Sequence, residues 1–407
     1  MGLFDLLPGV KLPRSLPWLL VLTALAGCTG EILPPGPPLD VQSNPGPGDG
    51  GDGGPTGSGQ DGGSPDAGRP PDAGLPDGGS PDAGRPDAGL PDAGAPDSGV
   101  PAGRQRFPAS STIYQDISGA ALASNSQQVI DHLAAVGWGT GTFQIDFSIT
   151  VLDADSGLQP RAFTPASGYY TPDCDQTTVP VPPGGNIEGS SNYTCNTANG
   201  DCHLLVYQGS RLYELYNTTI AGGQSTGSPF TTICEVVWDL THDYWQSGTP
   251  YSRGDQCTSA DAAGLPIAPL LVTGAELQGG LVPHALRFIL PNPRMAAGVY
   301  VHPATHAGAP SGDALYPPYG ARLRLRSTFD LTQLPSAAAR AVAVALQKYG
   351  MILADGGNVP LTFDSSAAAY IGSHDLGAIQ VSDFEMVASP DPAVALTYNC
   401  TRTPITQ

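Results

Sequence analysis

Apolar and polar residues alternate with period two along much of the chain beyond residue 140, and this alternation predicts β-strands. The clearest case is 143–152, Phe-Gln-Ile-Asp-Phe-Ser-Ile-Thr-Val-Leu. Segments 204–207 and 212–216 read as two short strands around Gly209-Ser210, a hairpin. Further strands are predicted at 234–240, 284–290, 298–302, 321–326 and 383–388. Two stretches carry the helical period. In 126–136, Val129, Ile130, Leu133 and Val136 share one side, and Gly137 supplies a stop. In 335–349, Pro335 opens the first turn, Val342, Leu346 and Tyr349 recur at helical spacing, and Gly350 follows. The pattern predicts a mainly β (α+β) domain over 107–407: a β-sandwich or irregular β-barrel core with two or three peripheral helices.

The first 106 residues follow neither period. Lys11 and Arg14 flank the start of an apolar run, 16–26, broken only by Pro17 and Thr23. The run is too short to span a bilayer, which takes roughly 20 apolar residues, and it suits a signal-peptide core. It ends in Leu25-Ala26-Gly27-Cys28, which resembles a bacterial lipobox. That resemblance implies cleavage before Cys28 and a lipid on Cys28 that anchors the chain to a membrane. Thr29 stands where an Asp would signal inner-membrane retention, which points to an outer-membrane lipoprotein. Residues 29–106 are dominated by Gly, Pro, Asp and Ser, and Pro-Asp-x-Gly recurs seven times from Pro65 to Gly99. Such a segment has too little apolar surface to offset its ordering entropy, so it reads as a disordered tether. It would reach on the order of 50 Å as a coil and up to about 240 Å as polyproline II.

Charge narrows the partners. The chain has 17 Lys plus Arg against 37 Asp plus Glu, a formal net charge of −20. So acidic a protein is not expected to bind nucleic acid, whose phosphates need a basic surface. Beyond Cys28, the cysteines are Cys174, Cys195, Cys202, Cys234, Cys257 and Cys400. An even number in an exported chain predicts up to three disulfides, with Cys195–Cys202 the favoured pair. No C-x-x-C pair exists, which disfavours a zinc thiolate site. Walker A, H-E-x-x-H, dinucleotide-binding and EF-hand signatures are all missing. Gly223-Gln-Ser-Thr-Gly227 matches G-x-S-x-G, but Pro229 and a strand follow where a nucleophile elbow needs a helix. Asp155-Ser-Gly157 resembles half of an aspartic-protease loop, and its only counterpart, Asp97-Ser-Gly99, lies in the tether.

Several longer stretches belong together. They include Thr258-Ser-Ala-Asp-Ala-Ala-Gly-Leu-Pro266, His284-Ala-Leu-Arg-Phe288 and Lys348-Tyr-Gly-Met-Ile-Leu-Ala-Asp355, with Pro303-Ala-Thr-His306 and Pro317-Pro-Tyr-Gly-x-Arg322 between them. Over 106–388 the chain resembles a family of secreted bacterial proteins without an assigned activity, sometimes found beside carbohydrate-active modules. Where that family tends to have Arg, this chain has Cys202, which implies an added disulfide. Where it has Trp-Pro-Ala-Arg-His, this chain has His302-Pro-Ala-Thr-His306, which argues against a shared role for His302.

The candidate chemistry rests on carboxylates and imidazoles. His203 follows Asp201, and an Asp beside a His can orient its ring and raise its basicity. Glu214 lies in Leu-Tyr-Glu-Leu-Tyr; if Tyr213 and Leu215 face the core, Glu214 faces solvent or a cleft. Asp261 sits among small residues that leave room for a ligand, or caps a short helix. Glu188 follows a Pro- and Gly-rich turn able to present it to a cleft. His284 shares an apolar strand face and reads as a core residue. His302 and His306 flank Pro303 and do not form a regular helical metal pair; with His203 or Asp355 they are the only metal reading, and no metal or other cofactor is assigned. Arg322, Arg324 and Arg326 alternate with leucines, placing three guanidiniums on one strand face. The resulting expectation is a surface-anchored extracytoplasmic enzyme acting on carbohydrate, of glycoside hydrolase type. Glu188, Asp261 and Glu214 supply its acid and base or nucleophile, assisted by His203 or His306. Arg287, Arg322, Arg324, Tyr349 and Asp355 are expected to bind substrate. The alternative is a non-catalytic polysaccharide- or ligand-binding lipoprotein. A monomer is expected.

Overall fold

The computed structural model describes residues 104–198, 200–245 and 253–406. The expected signal peptide, Cys28 and the tether up to residue 103 lie outside the described residues. Among the described residues, 17 strands form five sheets beside three α-helices, so the domain is mainly β, as its alternation predicts.

Ten strands build the two principal sheets; the rest are two or three residues long. The larger sheet contains β1 (Ile145–Ile149), β6 (Leu286–Leu290), β7 (Arg322–Leu325), β8 (Met351–Gly356), β9 (Leu361–Asp364) and β10 (Phe384–Met386). Its order is β1-β9-β6-β8-β7-β10. The smaller contains β2 (Val151–Asp153), β3 (Leu204–Gln208), β4 (Arg211–Tyr216) and β5 (Cys234–Asp239), in the order β5-β4-β3-β2. Both sheets are open, and the irregular-barrel alternative gives way to them.

The predicted strand 143–152 forms as two. β1 runs parallel to β9, while β2 runs parallel to β3 in the other sheet. The switch falls at Thr150, whose hydroxyl meets Ser365 Oγ at 2.9 Å. The next amide, Val151 N, donates to Asp364 Oδ2 at 2.9 Å. A side chain thus satisfies the amide just past the end of β1.

The smaller sheet is buried on both faces. Leu205, Leu212, Val236 and Trp238 enter the main core with Leu286, Phe288 and Leu353 of the larger sheet. Leu204, Val206, Tyr213, Leu215 and Val237 enter a second core with Val179, Ile187, Tyr193 and Phe230. Period two still holds here; it sorts residues between two cores rather than between core and water.

Helix α1 (Ser126–Val136) occupies the predicted residues and ends at Gly137, φ 71°, whose N–H returns to Leu133 O. It buries Val129, Ile130 and Leu133, but Val136 is exposed. Helix α2 (Gly274–Gly279) has no clear helical period, yet Thr273 and Glu276 close a reciprocal capping box at its start. Helix α3 (Ala337–Lys348) starts after Pro335, at an N-cap Ser336 that accepts from Ala339 N.

Packing begins before the expected boundary at 107. Arg104 pairs with Asp153 at 2.6 Å, and Arg106 lies over the Tyr114 ring. The disulfides are Cys174–Cys234, Cys195–Cys202 and Cys257–Cys400, so the favoured short loop does close. No helix among the described residues is long and apolar enough to cross a membrane.

Candidate functional site

The strand-opening hairpin and three strands of the larger sheet position a buried polar cluster. His203 immediately precedes β3, and Cys202 beside it is tied back to Cys195. The 185–192 turn brings Glu188 against this point, and Glu188 N donates to His203 O at 2.9 Å. Strands β6, β8 and β9 contribute Arg287, Asp355 and Thr362. The Thr258–Pro266 loop contributes Asp261, and its Ala263 N is held by Ala354 O of β8.

Two units meet there. In the first, Glu188 Oε2 lies 2.7 Å from His203 Nδ1. The same oxygen accepts from the amides of Asp201 and His203 at 3.1 and 3.3 Å. Glu188 Oε1 has a longer contact, with Ser148 Oγ at 3.3 Å. His203 Nε2 faces Ala260 O at 3.1 Å, which makes it the donor there and calls for an imidazolium if Nδ1 also donates to Glu188. In the second unit, Arg287 forks between two carboxylates. Its Nε donates to Asp261 Oδ2 at 2.6 Å and its Nη2 to Asp355 Oδ2 at 2.7 Å. Nη1 donates to Thr362 Oγ1 at 3.1 Å. The Ala260-Asp261 peptide joins the two units.

Electrostatics separates the carboxyls. Burial alone would raise the Glu188 carboxyl, but the charge and hydrogen bond of His203 outweigh it and hold Glu188 at about 2. Burial opposes the His203 imidazolium, yet Glu188 lifts it to about 9. Asp355 moves the other way. Burial pushes it up to about 6 against the pull of Arg287, and the like charge of Asp261 adds to the rise. Asp261 is also raised by burial, with Arg287 opposing. One carboxyl of the cluster is therefore held toward its anion, while another, 19 % exposed at its side chain, is pushed by burial toward its protonated form.

Aromatic rings stand beside the cluster. Tyr216, at the end of β4, contacts the His203 ring at 5.6 Å between centroids. It stacks on Tyr170 at 6.3 Å with 19° between planes, and Tyr170 is 43 % exposed. The Tyr216 phenol is pushed up to about 12, first by burial and then by the charges of Asp201, Asp355 and Glu188. Tyr216 therefore links the exposed Tyr170 ring to the His203 ring.

The cluster unites Glu188, His203, Asp261, Arg287 and Asp355 from the sequence reading. Other expectations are corrected. Glu188, rather than Asp201, orients the His203 ring. Asp261 is fully buried and leaves no room for a ligand at its own carboxylate. Glu214 faces neither solvent nor a cleft: it is fully buried and accepts from Ile267 N, Ala268 N and Trp238 Nε1, each near 2.8 Å. His306 stands apart, with Nδ1 on Ala262 O at 2.9 Å and its ring against Tyr398. His284 is buried as expected and bonded to Glu276. His302 bridges Asp255 and Asp391 rather than joining His306 and His203 around a metal.

The three guanidiniums of one strand face are also engaged within the protein. Arg324 is taken up by Glu385 at 2.8 Å and by the carbonyls of Ile117, Ser118 and Ala120. Arg326 also reaches Glu385, at 3.4 Å, and Arg322 binds, among the described residues, backbone carbonyls. Tyr349 caps α3, where its carbonyl accepts from Arg322 and its ring meets Lys348. The group Asp173, Cys257 and Cys400 has metal-like spacing, but both sulfurs are in one disulfide and have no thiolate to offer.

Sequence reasoning missed Tyr170, Tyr216, Thr362 and the Ala260 carbonyl. Tyr216 closes the Leu-Tyr-Glu-Leu-Tyr segment, so a signal existed for it; Thr362 and a backbone carbonyl offered none. The chain matches no protein-family model, no curated protein and no solved structure.

Proposed function

We propose that this chain is an extracytoplasmic, lipid-anchored hydrolase of polysaccharide, with Glu188 and Asp355 as its paired carboxyls. The observation that supports it most is the opposite displacement of these two groups within one cluster. Glycoside cleavage needs a protonated carboxyl for the leaving oxygen and an ionised one for water or the anomeric carbon. Asp355 fits the first role and Glu188 the second, through its less engaged Oε1. His203 positions Glu188. Asp261 positions Arg287, which in turn holds Asp355. Tyr170 and Tyr216 offer ring faces to a sugar. The three disulfides support an oxidising compartment, in keeping with export, a lipid on Cys28 and placement at the outer membrane.

The test is release of reducing ends from a panel of polysaccharides by the oxidised protein, alongside Glu188→Gln and Asp355→Asn. Each variant should lose about 100-fold or more in kcat while keeping its fold. Unaltered turnover in both variants would remove the assignment. A second reading, a non-catalytic polysaccharide-binding lipoprotein, is favoured by the dense hydrogen bonding of the cluster to itself. Saturable glycan binding without release of reducing ends would establish that reading.

A further inference from the structure

A second feature lies away from the polar cluster. A cleft of about 930 Å³ opens between α1, the segment following β10, and the strands around Val299 and Arg322. Its walls are mostly methyl and methylene groups, among them Ala123, Val129, Ala296, Val299, Val301 and Met386. Arg322 lines it too.

Arg322, partly exposed at the cleft, differs from the buried Arg287 and Arg324. Arg287 and Arg324 each meet a carboxylate. Arg322 donates to Tyr349 O at 2.8 Å, Thr112 O at 3.0 Å and Gln115 O at 3.4 Å, and has no acidic partner among the described residues. Burial lowers its guanidinium to about 10, and no neighbouring carboxylate opposes the fall. The three carbonyls use three of five N–H groups. The carbonyl of Tyr349 explains part of the placement, since a cation suits a helix C-terminus. It does not explain a cation left without a counter-charge in a chain of net charge −20. The acid that shares the cleft, Asp391, is engaged by His302 at 3.1 Å. Trp245, 8 % exposed, lines the same cleft, and its indole N–H has no hydrogen-bond partner among the described residues. The cleft thus combines an apolar wall with an unneutralised guanidinium.

We propose that this cleft binds an alkyl carboxylate, its head group on the free N–H edge of Arg322 and its chain along the Ala and Val wall. The site is independent of the polysaccharide reading. The probe is dodecanoate below its micelle concentration, titrated calorimetrically into the oxidised protein, with dodecanol as the neutral counterpart. Dodecanoate should bind saturably at one per chain, about ten-fold or more tighter than dodecanol. Arg322→Met should erase that preference and leave dodecanol binding in place. Ala388→Trp, at an exposed position on the cleft wall, should weaken both ligands while Arg322 keeps its contacts. The comparison of the two ligands on the parent protein stands even if Arg322→Met fails to fold. Absence of saturable dodecanoate binding, or equal affinity for acid and alcohol, would overturn the proposal.

Discussion

At Gly200 the backbone sits at φ 149°, and a Cβ built there would lie 3.0 Å from both Cγ and Cδ of Glu188. A glycine is required twice over, by its dihedral and by the carboxylate packed against it. Gly200→Ala should therefore disturb Glu188 before it disturbs the fold. The expected result is a fall in kcat with a melting temperature within a few degrees of the parent; an equal fall in both would mean a general loss of packing. The pH profile reads the same residues. With Glu188 ionised above about 2 and Asp355 protonated below about 6, kcat/KM should trace a bell across mild acid and fall steadily above pH 6. A profile that keeps rising to pH 8 would remove Asp355 as the acid. Glu188 was legible in the sequence as a catalytic candidate, because a Glu after a Gly-rich turn is visible in one dimension; Asp355 was legible only as a substrate-binding residue, and the acid role was expected of Asp261 instead. Their partners were not. That His203 pairs with Glu188 across 15 positions, and Arg287 with Asp355 across 68, depends on strand order that no local spacing carries.

Among the elements, the β3–β4 hairpin shows where reading by period succeeds and where it fails. Both strands and the Gly209 turn were visible, since alternation and turn chemistry are local. The fate of Glu214 was not, because alternation reports two faces and is silent on whether the second meets water. Here it meets Ile267, Ala268 and Trp238. Helix α2 escaped notice for a related reason: six residues are too few to show a period. Segment 143–152 was read as one strand because its apolar pattern runs straight through Thr150, where the chain leaves one sheet for the other. The short disulfide loop is the element most exposed to test. Cys195–Cys202 fixes the loop that carries Gly200 and Asp201 over Glu188. Replacing both cysteines with Ser should cost about 2 kcal/mol of stability, as expected for a small closed loop. It should also lower kcat more than the doubly substituted Cys257 and Cys400 variant does. Equal effects on kcat would make the short loop a staple and nothing more.

Across the whole domain, buried ionisable groups should make stability depend on pH in a defined direction. Burial raises the Glu214 and Glu235 carboxyls to about 7, against an unfolded value near 4.5. Their contribution is complete below about 4.5 and disappears as pH rises through 7, because the unfolded chain sheds those protons first. His203, raised to about 9, adds stability below about 6.5 that is lost as pH climbs through 9. Glu188 acts in the opposite sense: held at about 2, it adds stability above about 4.5 that is lost as pH falls through 2. The three trends meet in a maximum near pH 5, with a long decline toward pH 9 and a separate one below pH 4. Each fully buried carboxyl contributes on the order of 3 kcal/mol between its two pKa values, large beside a typical net stability of about 10 kcal/mol. Denaturant unfolding at pH 3, 5, 7 and 9, with disulfides intact, would trace the curve. Glu235→Gln should flatten its slope between pH 5 and 8 by removing one of the carboxyls that titrate there. In Gln the amide oxygen can keep the bond from Thr177 N, at 2.6 Å, while the amide nitrogen donates to Thr177 Oγ1, now 2.7 Å from the other carboxylate oxygen. A curve flat from pH 5 to 9 in the parent would mean that water reaches these groups in the folded domain. The two-core arrangement of the smaller sheet, which keeps Glu214 dry, would then need revision.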